Sequence, residues 1–170
     1  MTSYKTLING SRWLISAACL SFTVAFGHVA VVFIGAPAYR YFGAGEEIAE
    51  LAASGSILPA VLTLLLAAVF AVWGLYALSG AGLIRRLPLL GAGLVAIAGI
   101  YALRGLGIVT QVVWMIRSPR SVPLRETAFS LASLFIGIVY FIGVISSWET
   151  LKADRRAVDL LPSNVVTSSR

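Results

Sequence analysis

The sequence predicts an all-α fold, a polytopic transmembrane four-helix bundle with a short amphipathic helix in its first outer loop. Of the 170 residues, 59% are apolar and only 12% are charged, which excludes an ordinary soluble domain. The chain also contains long segments nearly without charge, and a helix of about 20 apolar residues is what a bilayer core requires. These segments do not alternate apolar with polar residues, as the strands of a membrane barrel would. We therefore expect one membrane domain.

Four segments qualify as spans. They cover approximately residues 13–34, 57–78, 88–116 and 126–148. No Asp, Glu, Lys or Arg occurs between Arg12 and Arg40, or between Glu50 and Arg85. The third span, by contrast, qualifies only because it tolerates Arg104, so this arginine is the anomaly of the sequence.

The loop after the first span, residues 35–56, contains the predicted short helix. Residues 45–53 (GEEIAELAA) place acidic side chains in a first helical turn, and Gly55 follows the end. Ile48 and Leu51 share a face that packs against the bundle or dips into lipid. The alternative is a solvated connector with no function of its own.

Turn signals separate the remaining spans. Residues 79–82 (SGAG) end the second span, Pro88 begins the third, and residues 118–123 (SPRSVP) interrupt the chain before the fourth. Residues 149–170 are predicted to be a cytoplasmic tail that begins as a helix and is partly disordered.

The first span has an alternative interpretation as a cleaved secretory signal. Lys5 and Arg12 precede its apolar stretch, and residues 36–38 (APA) resemble a cleavage site. The apolar stretch is too long for this, since the apolar cores of signal peptides have about 7–15 residues. We therefore expect a permanent span.

Basic residues near the span ends predict the orientation, because cytoplasmic loops collect Lys and Arg. With the N-terminus inside, seven such residues are cytoplasmic and four lie outside. The seven are Lys5, Arg12, Arg85, Arg86, Lys152, Arg155 and Arg156, and the four are Arg40, Arg117, Arg120 and Arg125. We expect a multi-pass protein of the bacterial inner membrane with both termini in the cytoplasm. The third loop, with three of the four outer arginines, runs against the rule.

Tryptophans also fall near the predicted span ends, where amphipathic rings favour the membrane interface. They are Trp13, Trp73, Trp114 and Trp148.

Small residues predict where helices pack, because helices in lipid associate where their backbones approach closely. Ala17, Ser21 and Ala25 form one stripe in the first span, and Ser133 and Gly137 form a second in the fourth. The sequence leaves open whether these stripes pack inside the monomer or bind a second copy of the chain.

Four polar residues predict an outward-facing pocket for a small anion. His28 continues the stripe of the first span, and Tyr101, Arg104 and Gln111 share a broad face of the third. By a rise of about 1.5 Å per residue, His28 and Arg104 reach similar depths. The possible loop partners that would close the pocket are Glu46, Glu47 and Glu50.

Arg104 also has a simpler interpretation. A cation at the bilayer centre costs at least about 2.5–3.5 kcal/mol, so its side chain must reach an anion, a carbonyl or the headgroup layer. Stretching towards phosphate, with the apolar stem left in lipid, satisfies that need without any ligand.

No catalytic, cofactor-binding or metal site is predicted, and we expect no enzyme. The single cysteine, Cys19, and the single histidine rule out an internal disulfide and a Cys/His zinc site, and a second histidine for bis-histidine haem ligation is missing. No carboxylate lies inside a span, and no phosphate-binding glycine loop occurs. The basic residues are spread over span ends, which favours lipid headgroups and not nucleic acid as their partner.

Two stretches resemble a known group of proteins. Residues 33–46 (FIGAPAYRYFGAGE) and 75–88 (LYALSGAGLIRRLP) are similar to uncharacterised small four-span membrane proteins of Gram-negative bacteria. The resemblance covers roughly the first half of the chain. It implies no particular activity, substrate or cofactor, so no functional residue is transferred.

The sequence thus predicts a non-enzymatic inner-membrane protein that acts through partners, as an accessory protein of another membrane protein or as a homo-oligomer. The alternative is a small transporter or sensor that binds an anionic ligand in the polar pocket.

Overall fold

The computed structural model describes the backbone of residues 2–117 and 124–159, and the side chains of residues 11–109, 112, 113, 116, 117 and 125–148. Within these ranges the chain forms seven helices and no strand. They are α1 (Thr2–Ile34), α2 (Ala36–Phe42), α3 (Glu46–Ala53), α4 (Leu58–Gly80), α5 (Leu90–Gly105), α6 (Gly107–Arg117) and α7 (Leu124–Asp159). The predicted all-α class is confirmed. The predicted disorder towards the chain end falls on residues 160–170, outside the described residues.

The described helices include four stretches that are long and apolar enough to cross a membrane. These are Ser11–Ile34, Leu58–Gly80, Leu90–Val109 and Arg125–Trp148. The first and last lie within the longer helices α1 and α7, whereas the third begins in α5 and ends in α6. The chain is therefore a multi-pass membrane protein with a four-helix transmembrane arrangement.

The four long helices form a ring in chain order. Helix α1 packs against α4 and α7, and α5 packs closely against α7 and less closely against α4. The buried residues of α7 recur at alternating steps of three and four, which is the spacing of knobs-into-holes packing. They include Ser130, Ser133, Gly137, Tyr140, Val144 and Ser147.

Small residues lie where the helices approach most closely. A Cβ atom added to Gly105 would lie 2.6 Å from the Cα atom of Leu134, and one on Gly137 would lie 2.9 Å from the backbone nitrogen of Ala102. Helices α5 and α7 therefore meet backbone to backbone. The Ala17, Ser21 and Ala25 stripe of α1 is likewise buried. The residues of both small-residue stripes are thus buried within the monomer.

The segment predicted as one third span, residues 88–116, is divided into α5 and α6 at Leu106. Glycines lie on both sides of the break, and glycine is among the weakest helix formers. The segment before the break is held tightly by α7, whereas α6 contacts α7 only lightly. The interruption is confined to Leu106, which keeps a right-handed helical backbone and donates its N–H to the carbonyl of Ala102.

The first loop contains the predicted helix α3 and a further helix, α2, that the sequence analysis did not predict. Pro37 lies in the first turn of α2, a position that favours helix initiation and was the available signal. Gly43, with φ of 74°, makes the turn that follows α2. Arg40 Nε lies 2.8 Å from Glu46 Oε1, so an ion pair joins α2 to α3.

Helix α2 fastens the loop to one end of the bundle. The hydroxyl oxygens of Thr63 in α4 and of Tyr39, which is buried, lie 3.2 Å apart and share a hydrogen bond. The rings of Phe42 and Phe129 have centroids 5.7 Å apart, and Arg125 Cζ lies 5.6 Å from the centroid of the Tyr41 ring. These contacts place α2 beside the start of the span in α7.

Candidate functional site

Three hydroxyl groups from three different helices meet at the centre of the bundle. Ser21 Oγ of α1 lies 2.8 Å from Tyr140 Oη of α7 and 3.4 Å from Tyr101 Oη of α5. Tyr140 Oη in turn donates a 3.0 Å hydrogen bond to the backbone carbonyl of Trp73 in α4. Ser21 and Tyr140 are 0% exposed and Tyr101 is 3% exposed. We call these groups the hydroxyl chain; it contacts all four long helices.

The direction of the hydroxyl chain follows from its last acceptor. A carbonyl oxygen only accepts, so Tyr140 uses its single hydroxyl proton on Trp73. Ser21 must then donate to Tyr140, and Tyr101 donates to Ser21. Each hydroxyl proton has an acceptor, which is the condition for burying such groups in an apolar interior.

Aromatic rings surround the hydroxyl chain. Tyr101 stacks on Tyr140 with centroids 5.7 Å apart and meets Trp73 edge to face at 5.1 Å. Trp73 meets Phe70 edge to face at 5.1 Å, and Phe70 lies 4.9 Å from the ring of His28. These five side chains form an aromatic cluster, whose edge-to-face pairs are the arrangement that aromatic rings prefer.

The hydroxyl chain and the aromatic cluster form a structural connection between the four long helices. Each hydroxyl of the hydroxyl chain is engaged by another helix, and large rings pack around it. A hydrogen bond between membrane spans contributes about 0.6 kcal/mol on average and at most about 1.7 kcal/mol. The hydroxyl chain therefore adds modest stability, but it specifies the rotation and register of all four spans at once.

The residues of the predicted polar pocket occupy different environments. Tyr101 faces the bundle interior in the hydroxyl chain, whereas Arg104 is exposed on the outer surface of α5. His28 Nδ1 donates a 2.8 Å hydrogen bond to the carbonyl of Val24 in its own helix, and its ring packs on Phe70. Tyr101 and His28 thus share the aromatic cluster. Gln111 belongs to α6, and its side chain lies outside the described residues.

The loop carboxylates, predicted as possible partners of the pocket, are exposed at the start of and along α3. Glu46 is paired with Arg40, and Glu47 and Glu50 are exposed on α3. Among the side chains that the structure describes, none forms an ion pair with Arg104.

Two contributors to the hydroxyl chain were not found from the sequence. Tyr140 lies seven residues after Ser133 and three after Gly137, on the same helix face as that predicted small-residue pair, and this was a usable signal. Trp73 contributes only its backbone carbonyl, which no sequence pattern reveals. Its ring, expected near a membrane interface, is part of the aromatic cluster inside the bundle.

The described residues contain no group of three His, Cys, Asp or Glu side chains placed to hold a metal ion. Comparisons with protein-family models, curated proteins and solved structures returned no match to this chain.

Proposed function

We propose that this chain is a non-enzymatic accessory protein of the bacterial inner membrane, with both termini in the cytoplasm, that acts by binding a partner membrane protein laterally. The observation that carries this proposal is the position of Arg104. It is exposed on the outer surface of α5, within the segment Leu90–Val109 that is apolar enough to span a membrane.

The surroundings of Arg104 are apolar. Its neighbour Leu103 is 72% exposed and Ile100, one turn earlier, is 50% exposed, as expected for side chains that face lipid. A cation in such a place costs at least about 2.5–3.5 kcal/mol unless an anion or polar group meets it. No side chain in the described part of the chain forms an ion pair with Arg104, which supports a counter-charge supplied by a neighbouring molecule. A carboxylate on a neighbouring membrane helix meets this requirement.

The bundle interior supports the same proposal. Each hydroxyl proton of the hydroxyl chain is already used, and Gly137 of α7 packs against α5. The hydroxyl chain therefore offers no free hydroxyl proton to a ligand, which supports a role for the outer surface.

The alternative, a transporter or sensor for a small anion, has less support. It needs Tyr101 and Arg104 to converge on one ligand, but the Tyr101 hydroxyl is bonded to Ser21 while Arg104 is exposed on the outside. On our proposal, Arg104→Leu and His28→Ala leave metabolite uptake and ligand-induced thermal shifts unchanged. A loss of either response in both variants would favour the carrier.

Chemical crosslinking in native membranes tests the accessory role. We expect the wild-type chain to give an adduct heavier than the monomer, and Arg104→Leu to lose it because the interhelical charge pair is lost. Arg104→Lys, which keeps the charge, should retain most of the adduct and serves as the matched control. The adduct mass distinguishes a second copy of the chain from a different protein. Recovery of only the wild-type monomer would contradict the proposal.

A further inference from the structure

Helix α4 carries one continuous row of side chains along the side that faces α5. Its members recur at alternating steps of four and three residues, which is the spacing of a surface that packs on another helix. They are Leu62, Leu66, Val69, Trp73, Tyr76 and Gly80. We call this row the α4 seam; it runs through most of the span Leu58–Gly80.

The second half of the α4 seam packs on α5. A Cβ atom added to Gly93 of α5 would lie 2.6 Å from Cε1 of Tyr76, and the ring of Trp73 meets Tyr101 edge to face at 5.1 Å. A Cβ atom added to Gly80 would likewise meet a leucine of α5 at 2.8 Å. The two helices therefore interlock between Gly80 and Trp73.

The first half of the α4 seam is exposed. Leu62, Leu66 and Val69 are 45%, 50% and 44% exposed. Helix α6, which continues α5, makes no contact with α4 along the backbone that the structure describes. The antiparallel helices thus meet at Trp73 and separate towards the start of α4. We call the opening between them the α4–α5 cleft.

Arg104 lies at the α4–α5 cleft. A row of buried residues in α5 has the same steps of four and three as the α4 seam, and it consists of Leu90, Leu94, Ile97 and Tyr101. Arg104 is the next member of this row, but it is exposed. It lies about 4.5 Å beyond Tyr101 along the helix axis, level with the exposed half of the α4 seam. Its exposure therefore follows from the separation of α4 and α5.

The α4–α5 cleft specifies two properties of the molecule that fills it. The exposed half of the α4 seam continues an established helix–helix contact with unchanged spacing, which fits a further helix. Arg104 requires an anionic group at its own depth. Counted from Leu90, where α5 begins, Arg104 lies about 21 Å along the helix, inside a hydrocarbon core of about 30 Å. A carboxylate within a membrane helix has both properties.

A second copy of the chain does not provide this carboxylate. No Asp or Glu occurs in the first 45 residues or between Glu50 and Glu126. In α7, Leu134 lies against Gly105, so Glu126, eight residues earlier, is about 12 Å further along the bundle than Arg104. Copies that share one orientation in the membrane keep this difference in depth. The carboxylate therefore belongs to a different protein.

We propose that the α4–α5 cleft receives one transmembrane helix of a different membrane protein. This helix packs on Leu62, Leu66 and Val69, and an Asp or Glu in it pairs with Arg104. The inference rests on the lateral binding proposed above, and it adds the docking surface and the chemistry of the partner.

Site-specific photo-crosslinking in native membranes tests the docking surface. A benzophenone side chain replaces Leu62, Leu66 or Val69, one at a time, in the full-length chain. Leu64 is the matched control position, because it is 45% exposed like Leu62 but lies on the opposite side of α4. We expect the same adduct with a different protein at the three seam positions, in roughly five-fold or higher yield than at position 64.

The other outcomes separate this inference from the lateral binding on which it rests. Equal yields at all four positions, or no protein adduct at the seam positions, would overturn docking in the cleft. An adduct of twice the monomer mass would overturn the different partner. Lateral binding itself stands in each of these cases if the chemical crosslink of the wild-type chain is still lost in Arg104→Leu.

The charge pair is tested on the adduct formed at position 66. Mass spectrometry should identify a transmembrane segment that contains an Asp or Glu. Arg104→Glu should lower the yield roughly five-fold or more, because two carboxylates then meet in lipid. Changing the partner's carboxylate to Arg in the same cells should restore the yield. A crosslinked segment without a carboxylate, or a failure of this restoration, would overturn the pairing.

Discussion

Three side chains, Ser21, Tyr101 and Tyr140, carry the polar connection between the spans, and they do not contribute equally. Tyr140 donates to the Trp73 carbonyl and accepts from Ser21, whereas Tyr101 only donates to Ser21 over a longer distance. The hydrogen bonds of Tyr140 therefore contribute more to the stability of the bundle than the hydrogen bond of Tyr101 does. The same asymmetry makes the roles of the two tyrosines experimentally separable.

Tyr140→Phe should lower the free energy of unfolding by about 1–2 kcal/mol, because two interhelical hydrogen bonds are lost and the ring is kept. Tyr101→Phe should cost less, since one bond of 3.4 Å is lost. Reversible unfolding in detergent micelles measures both. A larger effect of Tyr101→Phe would contradict the assignment of two hydrogen bonds to Tyr140 and one longer bond to Tyr101.

Ser21→Ala combined with Tyr140→Phe provides the control for that prediction. Both variants remove the same 2.8 Å hydrogen bond, so the effect of the double variant should fall short of the sum of the single effects. Strict additivity would show that the two hydroxyls do not stabilise one another.

The four long helices are held together by close backbone approach more than by large interlocking side chains. The contact between α5 and α7 depends on Gly105 and Gly137, each of which faces the backbone of the other helix. Lipid is as apolar as a leucine side chain, so such helices gain stability mainly from dispersion contacts at short range. A single methyl group added at the contact between α5 and α7 should therefore change the stability of the bundle measurably.

Gly137→Ala should destabilise the bundle by about 1–3 kcal/mol, because its Cβ atom meets the Ala102 backbone and the helices must separate. Gly99→Ala is the matched control, since a Cβ atom there meets nothing within 4 Å. It should be neutral or stabilise the helix by up to about 1 kcal/mol. Thermal unfolding in one detergent compares the two, and similar losses in both would refute the assigned contact.

The break between α5 and α6 lies within the predicted third span and was not predicted from the sequence. A continuous apolar run predicted one span, because hydropathy does not report which neighbouring helix packs against each turn. The flanking glycines, Gly105 and Gly107, were visible in the sequence, but glycine in a membrane helix also serves close packing. The structure separates these roles, since Gly105 lies against Leu134 while α6 has little support.

Both chain ends of the whole molecule are predicted to lie in the cytoplasm, as an even number of spans requires them to share one side. Reporter fusions at the N-terminus and the C-terminus should therefore both show cytoplasmic activity. A reporter inserted at Gly43, between α2 and α3, should show the opposite location. Chain ends on different sides would contradict four spans, and both ends outside would contradict the orientation taken from the basic residues.

The membrane class, the long helices and the position of α3 were determined by the sequence itself, because transfer to lipid and helix initiation depend on residues close together in the chain. Which polar groups meet was decided only by the tertiary structure. Ser21 and Tyr140 are 119 residues apart, and their contact depends on how α1 and α7 are rotated about their axes. The rotation of α5 about its own axis likewise turns Tyr101 inwards and leaves Arg104 exposed, so residues that share a broad helical face need not share an environment.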